Sequence, residues 1–225
     1  MKSDKSSTAI PYGMKNIVGV GRMLLFAAFF IIHSSLFISC SENDSEPEEF
    51  PDWKATNEVY WQTLYSETEA KIAAGDKTWK IIPSFSVTST GNPTKNQYII
   101  VHVKEEGAGI GCPIYTDTVS VHYRGHLLPS TTYTSGLQFD SSYDGDLNPK
   151  TARPSSFAVS AVVDGFSTAL QKMHIGDRWD VYMPYAMGYG KSTSSSSVIP
   201  PYSTLIFDLS LVDYWHAGDV VVKQK

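Results

Sequence analysis

Positive charge is in short supply in this chain. Its 18 Lys and Arg against 23 Asp and Glu leave a net charge of -5. With no basic surplus to neutralise phosphates, nucleic acid is excluded as a partner. The aromatics are plentiful at 12%, but they are not interleaved with Lys or Arg as a single-strand-binding surface requires. Catalytic and nucleotide motifs are missing too. The glycines of "EEGAGIG" (Glu105–Gly111) have the wrong spacing for a dinucleotide loop, and Cys112-Pro113 follows where a helix should begin. The serine run 192–197 is not part of a G-x-S-x-G and has no His/Asp order to activate it, so it reads as a flexible loop. His122 and His126 are four apart, but on a strand and its turn, which makes no metal site. No metal or cofactor is expected.

Long apolar runs are scarce as well. The one candidate, "MLLFAAFFIIHSSLFIS", is interrupted by His33, Ser34 and Ser35 and is too short to span a membrane comfortably. Preceded by Lys15 and Arg22, it reads as the h-region of a signal peptide over residues 1–39, with Met14 an alternative start. "LFISC" resembles a bacterial lipobox, with Phe37 where leucine is usual, and this implies lipidation of Cys40 and a membrane attachment through that lipid. An uncleaved signal anchor is the alternative. The acidic stretch after the cysteine, residues 40–50, reads as a tether; it also resembles a surface-export signal. The chain holds two cysteines, so once Cys40 carries lipid Cys112 is left alone, a half-buried thiol with no disulfide partner.

At 225 residues the chain suits one ordinary domain plus extensions. Residues 51–95 form a mainly helical extension, in which Trp53, Val59, Tyr60, Leu64 and Ile72 are irregularly spaced and Gly75 ends the helix. From about Tyr98 the pattern turns to strands: "YIIVHV", "VSVHYRG", "RWDVYM" and "TLIFDLSL". In "VSVHYRG", Val119, Val121 and Tyr123 point to one face, so an inward row ends on a phenol that needs a partner. Phe166, Ala169, Leu170 and Met173 fall at i, i+3, i+4 and i+7 on one helix, with Asp164 as its N-cap and Gly176 as its C-terminal stop. The sum is an α+β fold, an antiparallel twisted sheet wrapped around one amphipathic helix.

"VSVHYRG", "FDSSY", "VVDGFSTALQKMHIGDRWDVYMP", "GYG" and "VIPPYSTLIFDLSL" occur in the order and rough spacing of the FKBP family of peptidyl-prolyl isomerases. The resemblance covers roughly residues 96–215, leaving 216–225 as a tail. It implies catalytic roles for Tyr123, Phe139, Asp140, Phe166 and Tyr189, and a proline pocket completed by Phe157, Val162, Val163, Ile199 and Phe207. Tyr123 is expected to direct its hydroxyl at Asp140, and Tyr189 to donate to a carbonyl of the bound peptide. Proline-containing polypeptides, and macrolides of the rapamycin and tacrolimus type, are the implied ligands, and the cell envelope the implied location. A non-catalytic peptide-binding module on the same fold is the alternative. Phe207, Val121 and Leu170 also suit a plain core, and Asp140 also suits a turn cap. The sequence departs from the family in a longer connection between Tyr123 and Phe139, in added residues after Ser142, and in Ser155, where an aromatic is frequent.

Overall fold

The computed structural model describes residues 47–87, 91–192 and 198–219. The signal segment, Cys40, most of the acidic stretch and Thr193–Ser197 lie outside the described residues.

Among the described residues seven strands carry the fold: β1 (Trp79–Pro83), β2 (Tyr98–Glu105), β3 (Thr118–His126), β4 (Gln138–Ser141), β5 (Ser155–Ala158), β6 (Arg178–Met183) and β7 (Leu205–Trp215). They form one antiparallel sheet in the order β1-β2-β6-β7-β3-β4. β3 is the organising strand. Along one edge it pairs with β7 over its whole length, while its other edge is shared, Thr118–Val121 with β5 and Arg124–His126 with β4. That sharing leaves a gap beside Tyr123, where the site is built.

Alternation explains the inward face. In β6, Trp179, Val181 and Met183 are buried and the residues between them half-buried, as a period of two requires. β7 does the same from Phe207 through Leu209 to Leu211, after Leu205 and Ile206, which are both buried. Each such side chain contributes about 1.5–3 kcal/mol of hydrophobic free energy. Against this face packs α2 (Asp164–Leu170), with Phe166, Ala169 and Leu170 in the core.

The helix is shorter than the sequence pattern suggests. Val163 occupies the N-cap position and Asp164 is the first helical residue, its carboxylate accepting hydrogen bonds from Ser84 and Ser86 rather than capping the helix. The helix ends at Leu170, and Met173 stays in the core from a turn beyond it. Gly176, with φ +93, serves the turn 174–177 that leads into β6, a turn closed by the Asp177 carboxylate on the His174 N–H at 2.7 Å. The glycines of "EEGAGIG" receive a structural role here. A Cβ on Gly107 would lie 2.3 Å from the Ile175 carbonyl oxygen, so only glycine lets this loop pass the turn.

The N-terminal extension is more than helical. α1 (Trp53–Ala73) is followed by Gly75 and then by β1, which lengthens the sheet at its edge. Ile99, Ile100 and Val101 are all fully buried, so β2 is covered on both faces. Ile100 meets Trp61, Leu64 and Tyr65 of α1 in a separate cluster. A second helix therefore covers the face opposite α2. Glu48 and Glu49, expected within the tether, are fastened to the long β3–β4 connection: Thr131 Oγ1 donates to the Glu48 carbonyl at 2.8 Å and Thr132 N to the Glu49 carboxylate at 3.1 Å. No helix among the described residues is long and apolar enough to cross a membrane.

Candidate active site

Tyr123 ends the inward row of β3, and its hydroxyl donates to Asp140 Oδ2 at 2.8 Å. The partner is positioned by a local hook in "FDSS". Ser142 N donates to the Tyr123 carbonyl at 2.9 Å, and Ser142 Oγ accepts from Tyr123 N at 2.9 Å. The other Asp140 oxygen accepts from the Ser141 N–H at 2.8 Å. The carboxylate is thus held at the rim, half of it facing solvent and half fixed to the phenol. Burial, reinforced by this hydrogen bond and by the Asp140 charge, raises the Tyr123 pKa far above its ordinary value of 10. The group is a hydrogen-bond donor at any physiological pH.

Behind the phenol lies a nest of rings. Phe166 meets Phe207 at 5.1 Å and 85° and Tyr123 at 6.0 Å and 89°, while Phe139 meets Phe207 at 5.4 Å and 86°. These are edge-to-face contacts, the arrangement that opposed ring quadrupoles favour. They enclose an open cavity of about 230 Å³ lined by Tyr123, Phe139, Asp140, Phe157, Ala161, Val162, Val163, Phe166, Tyr189 and Phe207. Phe166 comes from α2, Val162 and Val163 from its N-terminal flank, Phe139 and Asp140 from β4, Phe157 from β5 and Phe207 from β7. Tyr189, 54% exposed, stands in the loop after Tyr185–Met187. That loop is pinned by Gly190 N on the Tyr185 carbonyl at 2.8 Å and by Tyr202 N on the Gly190 carbonyl at 3.0 Å. The Tyr189 hydroxyl makes no hydrogen bond among the described residues, and burial followed by the Asp140 charge raises its pKa, so it too remains a donor.

Nine of the ten residues expected from the sequence line this cavity. Ile199 does not. It lies 6% exposed in the main core, behind the lining. Two positions escaped the sequence reading. Ala161, at the end of the single turn Val159–Ala161, lines the mouth, and nothing in its residue type announces it. Gly125 is the second: a Cβ there would sit 2.6 Å from the Phe139 ring and 2.7 Å from that of Phe207. A glycine inside a strand signals such a close approach, and "VSVHYRG" carried that signal.

Chemically, the cavity offers an apolar floor, two phenolic donors and one carboxylate held by hydrogen bonds. Among the described residues no group of three or more His, Cys, Asp or Glu is placed to hold a metal ion. Cys112 is a free, half-buried thiol whose Sγ lies 3.7 Å from His174 Nε2, away from this site.

Residues 113–212 match the family model described as FKBP-type peptidyl-prolyl cis-trans isomerase. The macrophage infectivity potentiator of Trypanosoma cruzi is 37% identical over 112 residues, 50% of this chain and 50% of the relative. The outer membrane protein MIP of Legionella longbeachae is 35% identical over 121 residues, 53% of this chain and 44% of that protein. Among solved structures, FkpA from Escherichia coli aligns over 90% of this chain and 75% of its own, with a TM-score of 0.51 and 28% identity. The chain spans about half the length of the curated relatives it matches. Fold, ring cavity and matched segment agree: over residues 113–212 the chain carries a domain of the FKBP-type peptidyl-prolyl cis-trans isomerase family.

Proposed function

We propose that this protein catalyses cis–trans rotation about X–Pro bonds of polypeptides in the cell envelope, assisting their folding. The observation that carries the reading is the cavity itself, where a proline-sized apolar space is floored by Phe166 and rimmed by the Tyr123–Asp140 pair.

The X–Pro bond turns slowly because amide resonance raises a barrier of about 18–20 kcal/mol. The twisted amide loses that resonance and much of its dipole, so water stabilises it less than it stabilises the planar form. A cavity walled by Val162, Val163, Phe166 and Phe207 withholds that water. Binding energy is then realised preferentially in the twisted state. Tyr189 donates its hydroxyl to a carbonyl on one side of the bond, fixing that side while the other turns. Asp140 acts as an electrostatic and hydrogen-bonding wall and transfers no proton. Each ~1.4 kcal/mol taken from the barrier is a tenfold gain in rate. No bond breaks, so no nucleophile is required.

The same apolar cavity is proposed to admit macrolides of the rapamycin and tacrolimus type. Envelope location and attachment through lipid on Cys40 are proposed from the signal-like N-terminus. The organisation that follows is signal peptide 1–39, tether 40–50, extension 51–95, isomerase domain 96–215 and tail 216–225.

The test is an NMR exchange assay on a short X-Pro peptide with wild type, Asp140→Val and Phe166→Ala, and rapamycin as competitor. Fast exchange that both substitutions reduce and the macrolide blocks supports the proposal. A folded wild type with no rate above background leaves only a peptide-binding module. Labelled palmitate retained by wild type and absent from Cys40→Ser supports the anchor, and equal labelling of both excludes it.

A further inference from the structure

Beside the proline cavity lies a second and larger one, about 510 Å³, and Val162 lines both. One wall of it comes from Phe85 and Ser86, which precede the segment matched to the family. That wall is fastened to α2 residue by residue. Ser84 Oγ donates to Asp164 Oδ2 at 2.5 Å, Ser86 Oγ donates to Asp164 Oδ1 at 2.6 Å, and Phe85 N donates to Thr168 Oγ1 at 3.3 Å. Three successive residues are therefore held on the same short helix that supplies Phe166 to the proline cavity.

The fastening sets a large ring on the lining, with Lys172 Nζ 5.0 Å from its centroid. Phe85 is 39% exposed and Tyr115, also on the lining, is 58% exposed. The part of these two aromatic side chains that still meets water borders one concavity, and a ligand that covers it gains hydrophobic free energy. Polar groups at the base are mostly committed. Asp164 spends both oxygens on serines, and Gln171 Nε2 donates to the Ser167 carbonyl at 3.1 Å, which leaves Gln171 Oε1 to accept. An apolar side chain with a backbone N–H beside it satisfies such a surface. Because Val162 is common to both cavities, a chain leaving the first enters the second within a few residues, at roughly 3.3–3.6 Å each.

Resting on the isomerase reading, we propose that this groove holds the same polypeptide whose proline fills the aromatic cavity. It grips an apolar, best an aromatic, side chain two to four residues from that proline. Clients are then selected by sequence around the X–Pro bond as well as by the bond itself.

The experiment uses the full chain and two kinds of synthetic peptide. One is a two-residue X-Pro peptide blocked at both ends, too short to reach the groove. The others share its core but extend to ten residues, with a phenylalanine three positions before or three positions after the proline. The measurements are kcat/KM by NMR exchange and amide shifts of the labelled protein. One long peptide is expected to exceed the short one by about tenfold, and to shift the amides of Phe85, Ser86, Tyr115 and Gln171 where the short one does not. The long-to-short ratio is expected to fall towards one in the Phe85→Ser/Tyr115→Ser double variant, and to persist in Val59→Ser, an exposed substitution on α1. Equal values for all peptides on wild type, with the groove amides unmoved, overturn the groove and leave the isomerase reading standing. Groove shifts without turnover of any peptide sink catalysis and retain the groove. Because the shifts are read on wild type, the outcome does not depend on the double variant folding.

Discussion

The two faces of the sheet are held in different ways. Towards α2 the contacts are apolar and edge-to-face, and the packing stops short of filling the space, which leaves the ring cavity. Towards α1 the contacts are directional. Trp79 stacks on His102 at 4.5 Å with Lys71 Nζ 3.8 Å from its ring centroid, and Asn57 and Thr68 are buried within the helix. The N-terminal end of α1 reaches round the sheet. Trp53 Nε1 donates to Ser203 Oγ at 2.8 Å, and Asn57 Oδ1 accepts from Thr204 N at 2.6 Å. One face is an apolar surface that leaves a cavity; the other is a set of bonds that leaves the extension one way to sit. The first is the proposed binding face, and the second locks.

Phe166→Ala should produce the largest effect, because it strikes the binding face at its centre. The ring is buried against Tyr123 and Phe207. Truncating such a residue costs about 3–5 kcal/mol, as lost burial and a cavity add. Urea unfolding should show that loss, and X–Pro exchange should fall by more than tenfold at concentrations where the variant remains folded. Full activity in a destabilised variant would mean that the floor of the cavity is ordinary core.

Asn57→Ala is expected to come next, and it interrogates the locking face. Asn57 is 2% exposed, and its amide serves both the Trp53 carbonyl, at 2.7 Å, and Thr204 N. Leaving those buried groups unpaired costs about 1–3 kcal/mol. Unfolding should register that cost while kcat/KM, measured well below the melting transition, changes less than twofold. A parallel drop in kcat/KM would break the distinction between the faces. It would show that the bond to Thr204 positions the neighbouring loop that carries Tyr189.

Tyr123→Phe should be milder still for stability, about 0.5–1.5 kcal/mol, since it removes one hydrogen bond to a carboxylate already at the rim. Its effect on function separates the two roles left open for Asp140. If the Tyr123–Asp140 pair shapes the cavity, kcat/KM falls several-fold with the fold intact. If Asp140 only caps the turn in "FDSS", exchange rates stay at the wild-type value.

How much of this the sequence reveals follows the same division. The binding face was legible because burial repeats every second residue, and β6 and β7 have the alternation expected of "RWDVYM" and "TLIFDLSL". The cavity residues were legible because the family resemblance carried them over. α1 was legible as a helix packed on the domain, but not which of its residues do the packing. Its buried face includes Asn57 and Thr68, while Val59 and Ile72 point to solvent, so apolar spacing gives no guide. Asn57 is buried for the sake of Thr204, 147 residues away, and no local pattern encodes that distance. β1 went unread for a related reason: "WKIIP", beyond the Gly75 stop, is a strand by pairing with Tyr98–His102. The cap assigned to Asp164 failed because its carboxylate was taken by Ser84 and Ser86, again distant in sequence.

The smallest effect expected lies on a third surface, the side of β3 turned away from Tyr123's cavity. His122 is 3% exposed there, with the Tyr143 ring edge-on at 6.3 Å, and its Nδ1 has no hydrogen-bond partner among the described residues. Burial without a compensating charge lowers its pKa below the ordinary 6.5. The sign follows from proton counting. Above pH 6.5 the imidazole is neutral in folded and unfolded chains alike, and contributes nothing to the pH dependence. Below it the unfolded chain binds a proton that the folded chain refuses, so stability declines as pH falls from about 6.5 towards the lowered folded pKa. Urea unfolding of wild type and His122→Gln between pH 7.5 and pH 5 isolates this term, because the other titrating groups contribute equally to both proteins. The wild-type curve should fall below the variant's as the medium becomes acid. Parallel curves would mean that His122 accepts its proton in place. The added segment after Ser142, which supplies Tyr143, would then be open enough at that point to admit water.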